Sequence, residues 1–182
     1  MPLAPFQIKL SRIERFSRAA AGALFLVLIA TPIFIAIYAF WFSPALAHHP
    51  WIVSLGAEPK PLTFRFSLAA FAVLLVATAP LLYAIDAARG LFWGYAHGHI
   101  FTTDAARKFR HIGTGLIAQT AMQPIGGVLL SLLLSAAGNA HGLAVSFGPD
   151  QIWLLLFGLI FFGIGKVMFA AALLAEDHEQ IV

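Results

Sequence analysis

Long apolar runs, separated by short polar stretches, make up most of this sequence. Four of the runs reach the length of roughly 20 residues that an α-helix needs to cross a lipid bilayer. They cover about residues 18–42, 66–86, 112–137 and 152–175. The pattern predicts an all-α, polytopic integral membrane protein with four transmembrane helices in a single domain, residues 1–182.

The positions of the basic residues predict the orientation of the protein. Lysine and arginine cluster in the N-terminal tail and between the second and third runs, whereas the first connection contains only Lys60 and Arg65 and the last contains neither type. Because cytoplasmic loops carry the excess of basic residues, both termini are predicted to be cytoplasmic. The basic residues on that side are Lys9, Arg12, Arg15, Arg18, Arg89, Arg107, Lys108 and Arg110.

A polar segment, residues 95–113 (YAHGHIFTTDAARKFRHIG), separates the second and third runs. Thr102, Thr103 and Asp104 are typical of a helix start, since their side-chain oxygens accept hydrogen bonds from the free N–H groups of a first turn. The sequence therefore predicts a cytoplasmic interfacial helix between the second and third spans. This helix would begin near Thr103 and could run directly into the third span.

The composition supports a membrane protein and argues against nucleic-acid binding. The chain is 60% hydrophobic and 10% charged, with a mean hydropathy of +0.88, whereas soluble domains contain about 25% charged residues. The net charge is +3, but the basic residues lie beside apolar runs, where they set topology and attract anionic lipid headgroups. The predicted lipid- or partner-contact residues are Arg107, Lys108, Arg110 and Trp93.

The sequence lacks the patterns of a metal centre or a common catalytic site. It has no cysteine, which excludes disulfides, thiolate ligands and cysteine nucleophiles. His97 and His99 are two residues apart and point to different sides of a helix, and no carboxylate trio completes a ligand set with them or with His111. Serine-nucleophile elbows, zinc-protease helices and phosphate-binding glycine loops are also missing. We therefore predict no cofactor and no enzymatic activity.

Three polar residues fall within the third and fourth runs. Lys166 is the most costly, at ~3 kcal/mol for a charge near the centre of a transmembrane helix. Gln119 and Gln123 are four residues apart and share a helix face. Because all three lie at a similar predicted depth, we predict a hydrogen-bonded contact between the third and fourth spans. In the alternative interpretation, Lys166 extends its side chain toward the cytoplasmic headgroups.

Acidic residues follow the fourth run on the predicted cytoplasmic side. Their attraction to the basic residues of the polar segment is predicted to tie the C-terminal tail to that segment. Exposed ion pairs are weak, so the expected effect is positioning of the tail rather than large stabilisation. The predicted pairing is between Glu176, Asp177 and Glu179 on the tail and Arg107, Lys108 and Arg110 on the polar segment.

Two short motifs are similar to those of a known family. In the polar segment, a glycine precedes IFT, and a short helix with a basic cluster ends in RHIG; the tail reads LAEDHEQIV. Both resemble the bacterial membrane protein family called domain of unknown function 2975. The matching residues are Gly98, Phe101, Thr102, Arg110, Ile112, Gly113, Leu174, Glu176 and Val182.

The chain departs from this family pattern at a few positions. Gln180 and Ile181 stand where the pattern has leucine and threonine, and Lys166 stands where members more often carry a neutral or acidic residue. The resemblance implies four helices and a bacterial inner-membrane location. It also implies similarity to members encoded beside small helix-turn-helix regulators, and it supplies no activity.

These observations favour a non-catalytic membrane protein that acts as an accessory, assembly or regulatory subunit through protein and lipid contacts. The expected partners are anionic headgroups and either another membrane protein or a cytoplasmic regulator. The alternative is a small transporter or membrane sensor that uses Lys166 with Gln119 and Gln123. A transporter would more convincingly contain carboxylates deep within a span, and the predicted spans contain none.

Overall fold

The computed structural model describes a chain that is almost entirely helical. The described residues are 4–42, 46, 61–99, 102–138, 142–143, 145 and 147–179, and the side chains at the two ends are described from residue 13 and up to residue 174. These residues form four helices and no strand: α1 (Ala4–Phe40), α2 (Phe64–Ala96), α3 (Thr103–Ala136) and α4 (Pro149–Glu179).

All four helices are long enough and apolar enough to cross a membrane. The shortest has 31 residues and the longest 37. At ~1.5 Å per residue, each is longer than the hydrocarbon core of a bilayer, which is ~30 Å thick. The predicted all-helical architecture, with four helices of membrane-spanning length and composition, is therefore confirmed.

The helices extend beyond the predicted spans. α2 continues past Asp86 to Ala96, and α3 begins at Thr103, several residues before its apolar run. Hydrophobicity marks only the apolar part of a helix, whereas backbone hydrogen bonding continues through polar turns. The described residues between Ala96 and Thr103 contain no separate interfacial helix. The polar segment is instead divided between the end of α2 and the first turns of α3.

Local hydrogen bonds fix the turn between α2 and α3. Gly98 has a φ of 81°, a left-handed conformation that glycine adopts without strain. The N–H of His99 donates to the carbonyl of Gly94 at 3.0 Å, which closes α2 in a Schellman arrangement. At the start of α3, the Thr102 hydroxyl oxygen accepts a hydrogen bond from the Ala105 N–H at 3.2 Å. Thr102 is therefore the N-cap that the sequence predicted for this region.

The described residues form two compact units, and every helix contributes to both. Unit 1 comprises the described residues within Met1–Leu28, Leu82–Leu116 and Leu156–Val182, and unit 2 comprises those within Ile29–Leu81 and Ile117–Leu155. Each unit is assembled from separate stretches of chain, so the units are not consecutive domains. The single domain over residues 1–182 stays a prediction.

In unit 1, α3 and α4 approach closely because small residues lie at their contact. A Cβ atom on Gly113 would lie 2.5 Å from the backbone nitrogen of Phe162, and one on Gly165 would lie 2.8 Å from the backbone nitrogen of Arg110. Ala106, fully buried, precedes Gly113 by two helical turns and lies on the same face of α3. No larger side chain fits at Gly113 or Gly165 without separating the helices.

Unit 2 has an apolar core. An isoleucine, an alanine and four leucines from three helices and from residue 46 pack together. Gln119 on α3 also belongs to unit 2 and is only 2% exposed. The buried core residues are Ile35, Leu46, Ala70, Leu74, Leu130 and Leu134.

Candidate functional site

Lys108 links the first turns of α3 to the C-terminal part of α2 through a hydrogen bond. Its amino group donates a hydrogen bond to the carbonyl of Gly90 at 3.1 Å and lies 2.6 Å from a carboxylate oxygen of Asp104. The Lys108 side chain is 27% exposed, whereas that of Asp104 is 62% exposed. The ion pair itself is weak in water, so the contact with the Gly90 carbonyl is the more important one. Lys108 is thus held within the protein.

A second ion pair lies on α2. A guanidinium nitrogen of Arg89 is 2.9 Å from a carboxylate oxygen of Asp86, three residues earlier. The same guanidinium lies 5.6 Å from the ring centroid of Phe25 on α1, a distance at which a cation is attracted to the ring face. Asp86 and Asp104 are therefore both paired with basic side chains of unit 1.

A small cavity follows one face of α3 after these pairs. It has a volume of about 280 Å³ and is lined by Arg107, Arg110, His111 and Thr114. The hydroxyl of Tyr83 on α2 hydrogen-bonds to Nδ1 of His111, and the two rings meet edge to face with centroids 5.6 Å apart. This contact fixes the imidazole at the edge of the cavity.

Two cations meet at the ring of Phe162. The guanidinium carbon of Arg110 lies 5.8 Å from the ring centroid, and the amino nitrogen of Lys166 lies 5.7 Å from it. Lys166 is exposed, and Phe162 precedes it by one helical turn on α4. The contact of Gly165 with the backbone of Arg110 places this part of α4 beside the second turn of α3. Arg110 and Lys166 therefore belong to one basic cluster.

A larger cleft lies beside Lys108. It has a volume of about 470 Å³ and is lined by Trp93, Gly94, His97, His99, Thr102, Asp104 and Lys108. Nδ1 of His97 donates to the Trp93 carbonyl at 2.8 Å, and the two rings are 4.9 Å apart. Within the described residues, no group of three or more His, Cys, Asp or Glu side chains is placed to hold a metal ion.

Gln119 has its partners on α2. Its Nε2 donates to the carbonyl of Ala77 and its Oε1 accepts from the N–H of Leu81, both at 3.1 Å. Gln123, one turn further along α3, has a buried Oε1 with no hydrogen-bond partner among the described residues. These residues belong to unit 2 and Lys166 to unit 1. The contact of Lys166 with Gln119 and Gln123 stays a prediction.

The predicted pairing of the tail lies outside the described side chains. The backbone of α4 is described as far as Glu179, but the side chains of Glu176, Asp177 and Glu179 are not described. On the polar segment, Lys108 is paired with Asp104. Arg107 and Arg110 line the small cavity, where a carboxylate could still approach them.

The structure also shows contacts that the sequence interpretation did not assign. Phe162 joins Arg110 to Lys166, and its position four residues before Lys166 was a readable signal, because residues at that spacing are neighbours on a helix. Tyr83 reaches His111 from another helix, and no pattern within the chain indicates that pairing.

The fold and the basic cluster define an all-helical protein with four helices of membrane-spanning length and composition. A family model described as "Protein of unknown function (DUF2975)" matches residues 42–182. The chain belongs to this family, as its motifs indicated. No curated protein matches the chain, and no solved structure matches it.

Proposed function

We propose that this protein is a non-catalytic subunit of a membrane complex that acts through contacts with another membrane protein and with lipids. The observation that carries the proposal is the way α4 packs. α4 contacts α3 along a narrow stripe that includes Gly158 and Gly165, both buried. The opposite face is apolar and exposed at Leu156, Ile160, Val167 and Leu174.

This arrangement leaves α4 with a long apolar face that no described helix covers. A helix that contributes little to its own protein's core presents its surface to lipid or to a neighbouring protein. Small residues let α4 pack closely against α3 on one side. The opposite face of α4, which we call the free face, does not contact α3. We propose that this α4 face is the contact for a second membrane protein.

The location and orientation are part of the proposal. We propose the bacterial inner membrane with both termini in the cytoplasm, on the distribution of basic residues in the sequence. The first turns of α3, with Arg107 and Arg110, would then lie at the cytoplasmic interface. Trp93, 59% exposed near the end of α2, suits that interface because its ring has both an apolar body and a polar N–H.

The internal pairing of the polar groups supports a subunit rather than an enzyme. Lys108, Asp104, Asp86 and Arg89 are engaged with one another or with backbone. His111 is hydrogen-bonded to Tyr83. These contacts account for these polar groups of unit 1, and the exposed apolar face of α4 is the surface that we propose for a partner.

The proposal is tested by purifying this protein, with a tag, in mild detergent from cells that express it at its native level. We expect one membrane protein in a fixed ratio, recovered again when the tag is moved to that partner. The variant Ile160→Arg, on the free face of α4, should lose the partner, while Gly163→Ala should keep it. Recovery of this protein alone, as a monomer or homo-oligomer, would contradict the proposal.

A further inference from the structure

The small cavity on α3 is lined by basic residues on one helix face. Arg107, Arg110, His111 and Thr114 follow one another at spacings of three, one and three residues, the pattern of a single face over two turns. None of these lining residues is acidic. The cavity volume, about 280 Å³, is sufficient for a compact polar group such as a phosphate with its nearest atoms.

The described carboxylates near the cavity do not neutralise its arginines. Asp104 pairs with Lys108, and Asp86 pairs with Arg89. Within the described part of the chain, neither Arg107 nor Arg110 forms an ion pair with a carboxylate. Arg110 and Lys166 also share the ring of Phe162. Like charges held this close repel each other, and a bound anion would relieve the repulsion.

One donor in the cluster is buried and has no acceptor. The Nε–H of Arg110 is inaccessible and lacks a hydrogen-bond partner among the described residues, an arrangement that is costly for a charged group. The stem of Arg110 packs against α4, because its Cγ lies only 2.7 Å from the position that a Cβ on Gly165 would take. The hydroxyl of Thr114 donates to the Arg110 carbonyl at 2.8 Å. The Thr114 hydroxyl is therefore engaged, and the exposed guanidinium N–H groups of the arginines are the charged donors of the cavity.

We propose that this cavity binds the phosphate of an anionic phospholipid headgroup. The proposal rests on the proposed membrane function and names the lipid contact within it. Arg107 and Arg110 donate N–H groups to the phosphate oxygens, because the planar guanidinium matches phosphate geometry, and Lys166 adds positive charge from α4. Both helices that form the cluster are candidate membrane spans, so headgroups are the phosphates present at high local concentration. Basic pockets between transmembrane helices bind such lipids.

Native mass spectrometry of the purified full-length protein tests the site. Protein is extracted in mild detergent and exposed to equal amounts of phosphatidylglycerol and phosphatidylcholine. We expect retained phosphatidylglycerol on the wild type, a loss of about fivefold in apparent affinity for Arg107→Gln, and a further loss for the pair with Arg110→Gln. Arg65→Gln, the matched control, removes one positive charge from an exposed position of α2 in unit 2 and should leave retention unchanged.

Three results would overturn the proposal. Equal retention of the two lipids would show that the headgroup charge is not recognised. Arg107 is exposed, so Arg107→Gln leaves the helix contact intact. Equal retention of phosphatidylglycerol by this variant and the wild type would show that Arg107 does not bind the lipid. Thermal stabilisation by inorganic phosphate alone, matching that by the lipid, would assign the site to a soluble anion. Lipid retention is measured without a partner, so its failure and the failure of the subunit proposal are separate outcomes.

Discussion

Gln119 on α3 hydrogen-bonds to the backbone of α2 at the turn that contains Pro80. Its amide joins the carbonyl of Ala77 to the N–H of Leu81, the two groups that an uninterrupted helix pairs directly. A proline ring clashes with the preceding turn of a helix and removes one donor. In a transmembrane helix, neighbouring side chains satisfy the backbone groups that proline frees. Gln119 supplies hydrogen bonds to two backbone groups of this turn of α2, next to the carbonyl of Val76 whose donor Pro80 lacks.

Replacing Gln119 with leucine should therefore destabilise the protein by about 1–3 kcal/mol, because two backbone groups of α2 lose a buried partner. The thermal midpoint in detergent measures the effect. In the background of Pro80→Ala, which removes the ring from this turn and lets the Leu81 N–H and the Ala77 carbonyl pair directly, the same replacement should cost less. Additive effects of the two changes, within about 0.5 kcal/mol, would show that Gln119 and Pro80 are not coupled.

The start of α3 could be predicted from the sequence, whereas the role of Gln119 could not. Thr102 caps its own helix, so the signal lies within a few neighbouring residues. The bonds of Gln119 depend on which turn of α2 faces α3, and periodicity does not contain that information. Lys166 was interpreted from its depth along a single span, without Phe162 and Arg110 beside it. Contacts between distant segments required the three-dimensional structure.

Glycines on α4 should differ sharply in their tolerance of a methyl group. In Gly165→Ala, the new Cβ would lie 2.7 Å from the Cγ of Arg110 and 2.9 Å from the carbonyl oxygen of Ala106. We expect a loss of about 1–3 kcal/mol from overpacking. Gly163→Ala is the matched control, since nothing lies within 4 Å of its Cβ, and alanine favours the helix by roughly 0.5–1 kcal/mol. Equal thermal midpoints for the two variants would refute the close α3–α4 contact.

Adjacent basic residues on α3 should have different roles. Lys108→Met removes the bonds to Gly90 and Asp104, and the partial exposure of Lys108 limits the expected loss of stability to about 1 kcal/mol. Arg107→Met should leave the thermal midpoint unchanged, because Arg107 is exposed. If Arg107→Met were the more destabilising change, the assignment of Lys108 as the residue that links α3 to α2 would be wrong.

The predicted orientation is accessible to chemical labelling because the chain has no cysteine. Single variants His99→Cys and Asp150→Cys place a thiol at exposed positions, just after the end of α2 and at the start of α4. With both termini in the cytoplasm, a membrane-impermeant maleimide should label Asp150→Cys in intact cells. It should label His99→Cys only after the membrane is opened. The reverse labelling pattern would show that both termini lie outside the cytoplasm.

We propose that the free face of α4 contacts another membrane protein, and site-specific photo-crosslinking in living cells tests this contact most directly. A photo-reactive amino acid is placed at Ile160 or Val167, on the free face, at native expression. Phe34, an exposed apolar residue of α1, serves as the comparison. We expect one discrete protein adduct from both α4 positions and a different or absent product from Phe34. Lipid adducts alone from α4, in cells that express the protein at its native level, would contradict it.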